Sequence, residues 1–177
     1  MRKLEKKWMS LMKKLNLNLF NFILLILFIN ISFSNSSDIN SIYGKAEVID
    51  GDTIKIKGKK IRLFGIDAPE VDQICFKSSN PYHCGHTASK ALIRLTKNRT
   101  IYCYYTELDK YKRILGTCNY GEGKEDINAM MVNHGYAVAY SRYCKKYLKE
   151  EEYAKHNKLG LWKGIFERPE EWRKKNK

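Results

Sequence analysis

The stretch VIDGDTIKIKGKKIRLFGIDAPE, residues 48–70, decides the fold of this chain. Residues 53–57 alternate apolar and polar side chains, as a half-buried strand does, and residues 60–66 form a further strand after a turn at Gly58. A first strand over residues 42–50 precedes them. Three short strands joined by tight turns predict a β-meander, which is the usual start of a small barrel.

The rest of the chain adds helices and further strands to this meander. Apolar residues recur at helical spacing in three segments, and β-branched and aromatic residues favour strands in two others. We predict helices over residues 87–97, 126–135 and 147–158, strands over 100–106 and 113–118, and an irregular loop over 69–85. The predicted fold class is α+β and mainly β, a five-stranded OB-fold barrel with about three packed helices, an architecture that often binds nucleic acid.

The N-terminus has the composition of a targeting segment. Residues 1–34 contain six Lys or Arg and one acid, and the basic residues through Lys14 precede an apolar run over 19–33. That run is shorter than the ~20 residues that span a bilayer comfortably. Small residues around Ser34 predict a secretory signal peptide cleaved there, and the alternative is an uncleaved membrane anchor with its basic end in the cytoplasm. In either case we expect an exported domain, periplasmic or secreted.

The length of 177 residues supports one ordinary domain with extensions. We divide the chain into a signal peptide or anchor (1–34), a polar linker (35–41), a folded domain (42–165) and a charged C-terminal tail (166–177). We expect the tail to fray in part, although Trp172 indicates some packing. We also expect a monomer.

The charge balance favours a polyanionic partner. The chain has 33 Lys and Arg against 19 Asp and Glu, a formal net charge of +14, and +9 remains when residues 1–34 are removed. A positive field of this size attracts nucleic acid or an acidic membrane surface. The alternative is a lysine-rich surface that serves solubility alone.

Three acids and an arginine lie close together within residues 48–70. Asp52 follows a turn and Asp67 ends a strand, so adjacent strands of a small barrel can bring both carboxylates to one rim. Such oxygens suit Ca²⁺ or Mg²⁺, while Glu70 can act as a general base and Arg62 can hold a phosphate. The alternative is structural, because turn-forming acids, a solvated surface acid and a salt-bridging arginine would show the same spacing.

A second candidate group is the turn DKYKR at residues 109–113. Lys110 and Arg113 beside Tyr111 can bind phosphate and stack a base, although a solvated hairpin tip has the same composition. Tyr140 can stack or donate to a phosphate, or it can be a half-buried core tyrosine.

The five cysteines are informative because an exported protein can form disulfides. The local pairings are Cys75 with Cys84 and Cys103 with Cys118, which leave Cys144 unpaired. A competing interpretation is a zinc site that combines the first of these pairs with the neighbouring histidines, but its spacing does not match a usual tetrahedral motif.

Residues 48–70 and the DKYKR turn together make the chain resemble the thermonuclease (staphylococcal nuclease-like) family. The resemblance runs from about Lys45 to Trp162 and includes NAMMVNHGYAVAY (128–140) and GLW (160–162). It implies an OB-fold with three helices, Ca²⁺ as cofactor, hydrolysis of DNA and RNA, and products that carry a 3′-phosphate.

The resemblance also implies roles for individual residues. Asp52 and Asp67 match the calcium carboxylates, and Ala68 falls where a main-chain carbonyl ligates the metal. Among the remaining positions, the two phosphate-binding arginines are Arg62 and Arg113, the proposed base is Glu70, and the nucleotide-contacting residues are Lys110, Tyr111 and Tyr140.

One departure from the family pattern concerns the turn, which usually reads D-x-Y-G-R and here has Lys112 in place of the glycine. If that position needs a positive φ, lysine strains the turn and shifts Arg113. The prediction from the sequence is an exported Ca²⁺-dependent endonuclease of DNA, RNA or both, and its rival is a non-catalytic OB-fold module that binds nucleic acid.

Overall fold

A computed structural model describes residues 2–29, 39–121 and 125–176. The chain divides into two compact units, Met1–Ser37 and Asp38–Lys177. In the first unit, Arg2–Ile29 form helix α1. Within the described residues, no helix combines the length and the apolarity that crossing a membrane requires. The predicted cleavage position near Ser34 lies outside the described residues.

The second unit contains eleven strands and four α-helices within its described residues. Its elements are β1 (Asn40–Gly44), β2 (Glu47–Val48), β3 (Thr53–Ile56), β4 (Lys59–Leu63), β5 (Ile66–Asp67), β6 (Ile74–Lys77), β7 (Asn80–His83), α2 (Cys84–Thr96), β8 (Ile101–Tyr105), β9 (Ile114–Tyr120), β10 (Glu125–Asp126), α3 (Ile127–Asn133), β11 (Val138–Ala139), α4 (Leu148–His156), a 3-10 helix (Gly160–Lys163) and α5 (Pro169–Lys175).

The main sheet has the strand order β1-β8-β9-β4-β3-β2, with β10 added beside β9. All its pairings are antiparallel except that of β4 with β9, which is parallel. The sheet curls into a half-barrel, and two short sheets, β5 with β11 and β6 with β7, complete the unit. This mainly β arrangement with packed helices confirms the predicted α+β class with an OB-fold.

Alternation along the first strands creates the core of the half-barrel. Ile54 and Ile56 of β3 pack with Ile61 and Leu63 of β4, and all four side chains are buried. The side chains between them point to the other face, which is why Arg62 leaves the core. Burial of the apolar side chains on one face of these strands therefore fixes which residues, Arg62 among them, lie on the face of the candidate site.

The helices close the core from the side. Helix α2 buries Ala88, Ala91 and Leu92, in agreement with the predicted helical spacing. Helix α3 begins where predicted, because the Asp126 carboxylate accepts a hydrogen bond of 3.0 Å from the amide of Ala129.

A buried asparagine of α3 ties the helix to the sheet. Asn128 donates to the carbonyls of Phe64 and Gly116 at 2.9 and 3.1 Å and accepts from the amide of Cys118 at 3.2 Å. These three bonds tie the end of β4 and the middle of β9 to one side chain, and these are the strand that carries Arg62 and the strand that Arg113 directly precedes.

The segment predicted as an irregular loop, residues 69–85, instead contains the hairpin of β6 and β7. A disulfide between Cys75 and Cys84 joins this hairpin to the start of α2. Because both sulfurs are bonded to each other, the zinc interpretation for these residues is wrong. A second disulfide joins Cys103 of β8 to Cys118 of β9, and Cys144 is free.

The C-terminal tail, for which we expected partial fraying with some packing, forms helix α5 over residues 169–175. Pro169 is buried at its first turn, where a proline costs no hydrogen bond. The preceding Arg168 donates to the carbonyl of Ala139 at 3.1 Å and to Glu151 at 3.0 Å. These contacts fix the base of the helix to the body of the domain.

Candidate active site

The two predicted calcium carboxylates, Asp52 and Asp67, both contact the guanidinium of one arginine. Arg62 forms an ion pair with Asp52 through Nη1, and its Nη2 donates to Asp67 Oδ1 at 2.8 Å. Both acids are almost completely buried, with 5 % and 1 % of their surfaces exposed. The strands explain the meeting, because Thr53 of β3 is paired with Arg62 of β4, and Asp67 follows in the next short strand.

The second oxygen of Asp52 holds the chain that follows Asp67. Asp52 Oδ2 accepts a hydrogen bond of 2.7 Å from the amide of Ala68, and Oδ1 accepts one of 3.3 Å from the hydroxyl of Thr53. The first of these bonds places the Ala68 main chain beside both carboxylates. Asp52, Asp67 and Ala68, which the resemblance grouped together, are thus neighbours in the structure.

Burial lowers the pKa of Arg62, and the charge of Arg113 lowers it further, while Asp67 and Asp50 oppose the shift. Arg113 is therefore close enough to Arg62 for its charge to act on the guanidinium. The sheet accounts for this, since Ile61 and Ile114, the residues just before Arg62 and just after Arg113, are paired across the parallel strands.

Glu70 stands at the mouth of this group, with 38 % of its side chain exposed. Its main chain is held by Gln73. The side-chain oxygen of Gln73 accepts from the main-chain amide of Glu70 at 3.3 Å, and the main-chain amide of Gln73 donates to the Glu70 carbonyl at 2.9 Å. Gln73 is fully buried and also donates to the carbonyl of Glu167 at 2.7 Å. Sequence reasoning missed this residue, which fixes the position of the candidate base.

A third arginine, Arg173 of α5, reaches the same acids. Its Nη1 donates to Asp67 Oδ1 at 2.9 Å and to Glu70 Oε1 at 2.8 Å, and its Nη2 donates to Asp67 Oδ2 at 3.0 Å. Burial alone would lower the pKa of Arg173, but the hydrogen bonds and charges of Asp67 and Glu70 outweigh it and raise the pKa. The predicted site residues did not include Arg173, and its place in a charged tail gave no signal.

The turn at residues 109–113 is organised by its first residue. One oxygen of Asp109 accepts from the amides of Tyr111 and Arg113 at 2.9 Å each, and the other accepts from Arg113 Nε at 2.7 Å. Burial would raise the pKa of Asp109, but the bonds from Arg113 and Tyr111 lower it. Lys112 has a φ of 60°, so the position does require the left-handed backbone that the family's glycine supplies.

The aromatic residues predicted to contact nucleotides differ in exposure. Tyr111 is 68 % exposed, and the charged groups of Lys110 and Arg113 lie 5.0 and 5.5 Å from the centre of its ring. Tyr140 is only partly exposed and packs edge-on against Tyr143. Burial raises the pKa of Tyr140, and the charges of Glu170 and Asp67 add to the shift. Tyr140 directly follows β11, whose Val138 is paired with Asp67, so it lies near the acidic group.

The oxygens of Asp52 and Asp67 fit a hard divalent cation. Carboxylates joined by a main-chain carbonyl and water are the ligands that Ca²⁺ prefers. No three His, Cys, Asp or Glu side chains are clustered as a metal site anywhere in residues 2–29, 39–121 and 125–176. A calcium ion at this position would have the carboxylates of Asp52 and Asp67 and the carbonyl of Ala68 as its protein ligands.

Comparison with known proteins places the chain in a family. A family model described as "Staphylococcal nuclease homologue" matches residues 60–164, more than half of the chain. The chain is 38 % identical over 125 residues to the succinoglycan biosynthesis protein ExoI of Rhizobium meliloti, and the match covers 69 % of this chain and 65 % of that protein, just under two thirds.

Two further relatives carry nuclease names. A micrococcal nuclease of Shigella flexneri is 32 % identical over 146 residues, covering 73 % of this chain and 79 % of that protein. A protein named uncharacterized endonuclease from Haemophilus influenzae is 32 % identical over 139 residues, covering 74 % and 72 %. The chain belongs to the staphylococcal nuclease homologue family, which confirms the resemblance found in the sequence and supports a nuclease as its class.

Proposed function

We propose that this protein is an exported Ca²⁺-dependent endonuclease that hydrolyses phosphodiester bonds of DNA, RNA or both and leaves 3′-phosphates. The observation that supports it most strongly is the contact of Asp52 and Asp67 with one guanidinium, that of Arg62, beside a partly exposed Glu70. Family membership and the nuclease names of relatives support the same reaction class.

In the proposed reaction, each residue has a distinct task. Asp52, Asp67 and the carbonyl of Ala68 would hold Ca²⁺, which when bound would neutralise charge on the scissile phosphate. Glu70 would accept a proton from the attacking water, because its partly exposed carboxylate can reach solvent without being a metal ligand. The base is thus supplied by the loop that Gln73 holds in place.

The arginines and the aromatic turn would bind the substrate. Arg62 and Arg113 would donate to the phosphate oxygens as negative charge develops, which is the largest contribution such a site can make. Lys110 and Tyr111 would hold the neighbouring nucleotide by charge and stacking, and Tyr140 would also contact it.

Export is proposed from two observations. The basic and apolar segment at the N-terminus has the composition of a signal peptide or anchor. The two disulfides of the folded unit are typical of proteins that reside in an oxidising compartment.

Digestion of single- and double-stranded DNA and RNA with added Ca²⁺, and then with chelator, tests the proposal. We expect cleavage that chelator abolishes and fragments that a polymerase extends only after phosphatase treatment. Glu70→Gln should lower the rate at least a hundredfold while DNA is still retained in a gel shift. Asp72→Asn, which neutralises an exposed acid of the same loop, is the matched control.

The rival function is a module that binds nucleic acid without cleaving it. It predicts that wild-type protein retains DNA in the gel shift but never cleaves it, with or without Ca²⁺. That result would overturn the proposed nuclease.

A further inference from the structure

The C-terminal helix places a positive charge on the two acids that the proposed nuclease needs most. Arg173 makes two hydrogen bonds to Asp67, one to each carboxylate oxygen, and a third to Glu70. Asp67 Oδ1 also accepts from Arg62. Both oxygens of the proposed calcium ligand are therefore engaged by guanidinium groups, and so is the proposed base.

We propose that Arg173 is a built-in competitor of the metal, which occupies the acidic group until Ca²⁺ displaces it. This inference rests on the proposed function, since it assigns a regulatory role to a residue at the same site. A buried carboxylate needs a compensating cation, and for Asp67 Arg173 adds a second one beside Arg62. A divalent cation and a guanidinium repel each other, so both cannot share the oxygens of Asp67 without a large loss of affinity.

The anchoring of α5 shows how the competitor can leave without unfolding the domain. The base of the helix is fixed, because Gln73 holds the carbonyl of Glu167 and Arg168 bonds to Glu151. Beyond that base, Arg142 pairs with Glu170 at 3.0 Å, whereas the contacts of the Arg173 guanidinium are with Asp67 and Glu70. Rotation of one long side chain, 29 % exposed, is enough to free Asp67 Oδ2 and Glu70 Oε1.

Release of Arg173 would act on both halves of the chemistry. It frees Oδ2 of Asp67 for the metal, and it removes the 2.8 Å hydrogen bond to Glu70 Oε1, so that this oxygen can accept from the attacking water. The nuclease would thus be held inactive where Ca²⁺ is scarce and released where Ca²⁺ is abundant.

Calorimetric titration of the full chain with Ca²⁺ alone, without nucleic acid, tests this inference by a readout other than activity. We expect Arg173→Ala and Arg173→Gln to bind Ca²⁺ at least tenfold more tightly than wild type. Lys174→Ala removes the neighbouring charge, which pairs with Glu170 and Glu171 and not with Asp67 or Glu70, and should stay within twofold of wild type. Asp67→Asn should abolish the gain in the Arg173→Ala background.

Two outcomes separate this inference from the proposed function. If wild type cleaves nucleic acid with Ca²⁺ but both Arg173 variants bind Ca²⁺ no more tightly, the competitor role is overturned and the nuclease stands. If both variants gain Ca²⁺ affinity but no protein cleaves, the competitor role stands and the nuclease falls. If neither wild type nor variants bind Ca²⁺, both are overturned.

Discussion

Gly85 and Glu70 are in direct main-chain contact, and a Cβ at Gly85 would lie 1.8 Å from the carbonyl oxygen of Glu70. Gly85 is the second residue of α2, immediately after the disulfide-bonded Cys84. The first turn of the helix thus forms the surface against which the loop of the proposed base rests. The position of Glu70 depends on the absence of a side chain at residue 85.

Gly85→Ala should therefore displace Glu70 and lower kcat about a hundredfold, the cost of misplacing a catalytic group by roughly 1 Å. Relief of the overlap should also lower the free energy of unfolding by about 1–3 kcal/mol. Lys90→Ala, at an exposed position of the same helix, is the control and should leave both quantities unchanged. Full activity with unchanged stability in Gly85→Ala would show that the helix yields instead of the loop.

Lys112→Gly tests the cost of the departure in the turn at residues 109–113. Because Lys112 has a φ of 60°, glycine should relieve left-handed strain and raise the free energy of unfolding by up to about 1 kcal/mol. Activity should persist, since the bonds from Asp109 to Arg113 do not involve the Lys112 side chain.

The control for that measurement is Lys110→Gly, in the same turn but without a positive φ. It should lower stability, because glycine adds freedom to the unfolded chain without relieving strain. Urea unfolding of the two variants compares them directly, and an equal loss in both would contradict the strain argument.

The sequence predicted those parts of the site that depend on local patterns. Apolar and polar side chains alternate in residues 53–57 and around Arg62, and this alternation sets which side chains enter the core. It alone places Arg62 on the face of the strand that points away from the core. The meeting of Asp52 with Asp67 follows from neighbouring strands. Lys112 was identified because it replaces the glycine of the D-x-Y-G-R motif, and its φ is positive, as the glycine of that motif suggests.

The missed parts depend on contacts that no local pattern encodes. Arg173 meets Asp67 across 106 positions of sequence, and it lies in a segment whose composition is typical of a solvated end. The hairpin of β6 and β7 was missed for a different reason. Its residues are mostly exposed and include Pro81, so periodicity is absent, and a disulfide together with a bridge from Phe76 to Ile165 holds it.

Loss of the Cys75–Cys84 disulfide should destabilise the loop of the proposed base. The bond closes a loop of sequence separation 9, for which chain entropy predicts a stabilisation of about 2.6 kcal/mol. The double variant Cys75→Ser, Cys84→Ser should lose about this much in urea unfolding and lose activity at a lower urea concentration. Cys144→Ser, at the free cysteine, should match wild type, and an equal stability of the double variant would refute the role of the bond.

Tyr147 should make the stability of the fold sensitive to alkaline pH. It is 1 % exposed and donates to Asp126 Oδ2 at 3.0 Å, and burial, reinforced by the charge of Asp126, raises its pKa above the ordinary 10.0. The contribution of Tyr147 to the free energy of unfolding is fully present below pH 10, where the tyrosine is neutral in both states. It is lost above pH 10, because only the unfolded chain ionises.

Tyr147→Phe should lower the free energy of unfolding by about 1 kcal/mol at pH 7 through the lost hydrogen bond. Above pH 10 the free energy of unfolding of wild type should fall by about 1.4 kcal/mol per pH unit relative to the variant. The two proteins should therefore be equally stable at about pH 11. Tyr153→Phe, at a position 52 % exposed, should follow the wild-type curve, and parallel curves for wild type and Tyr147→Phe would refute the raised pKa.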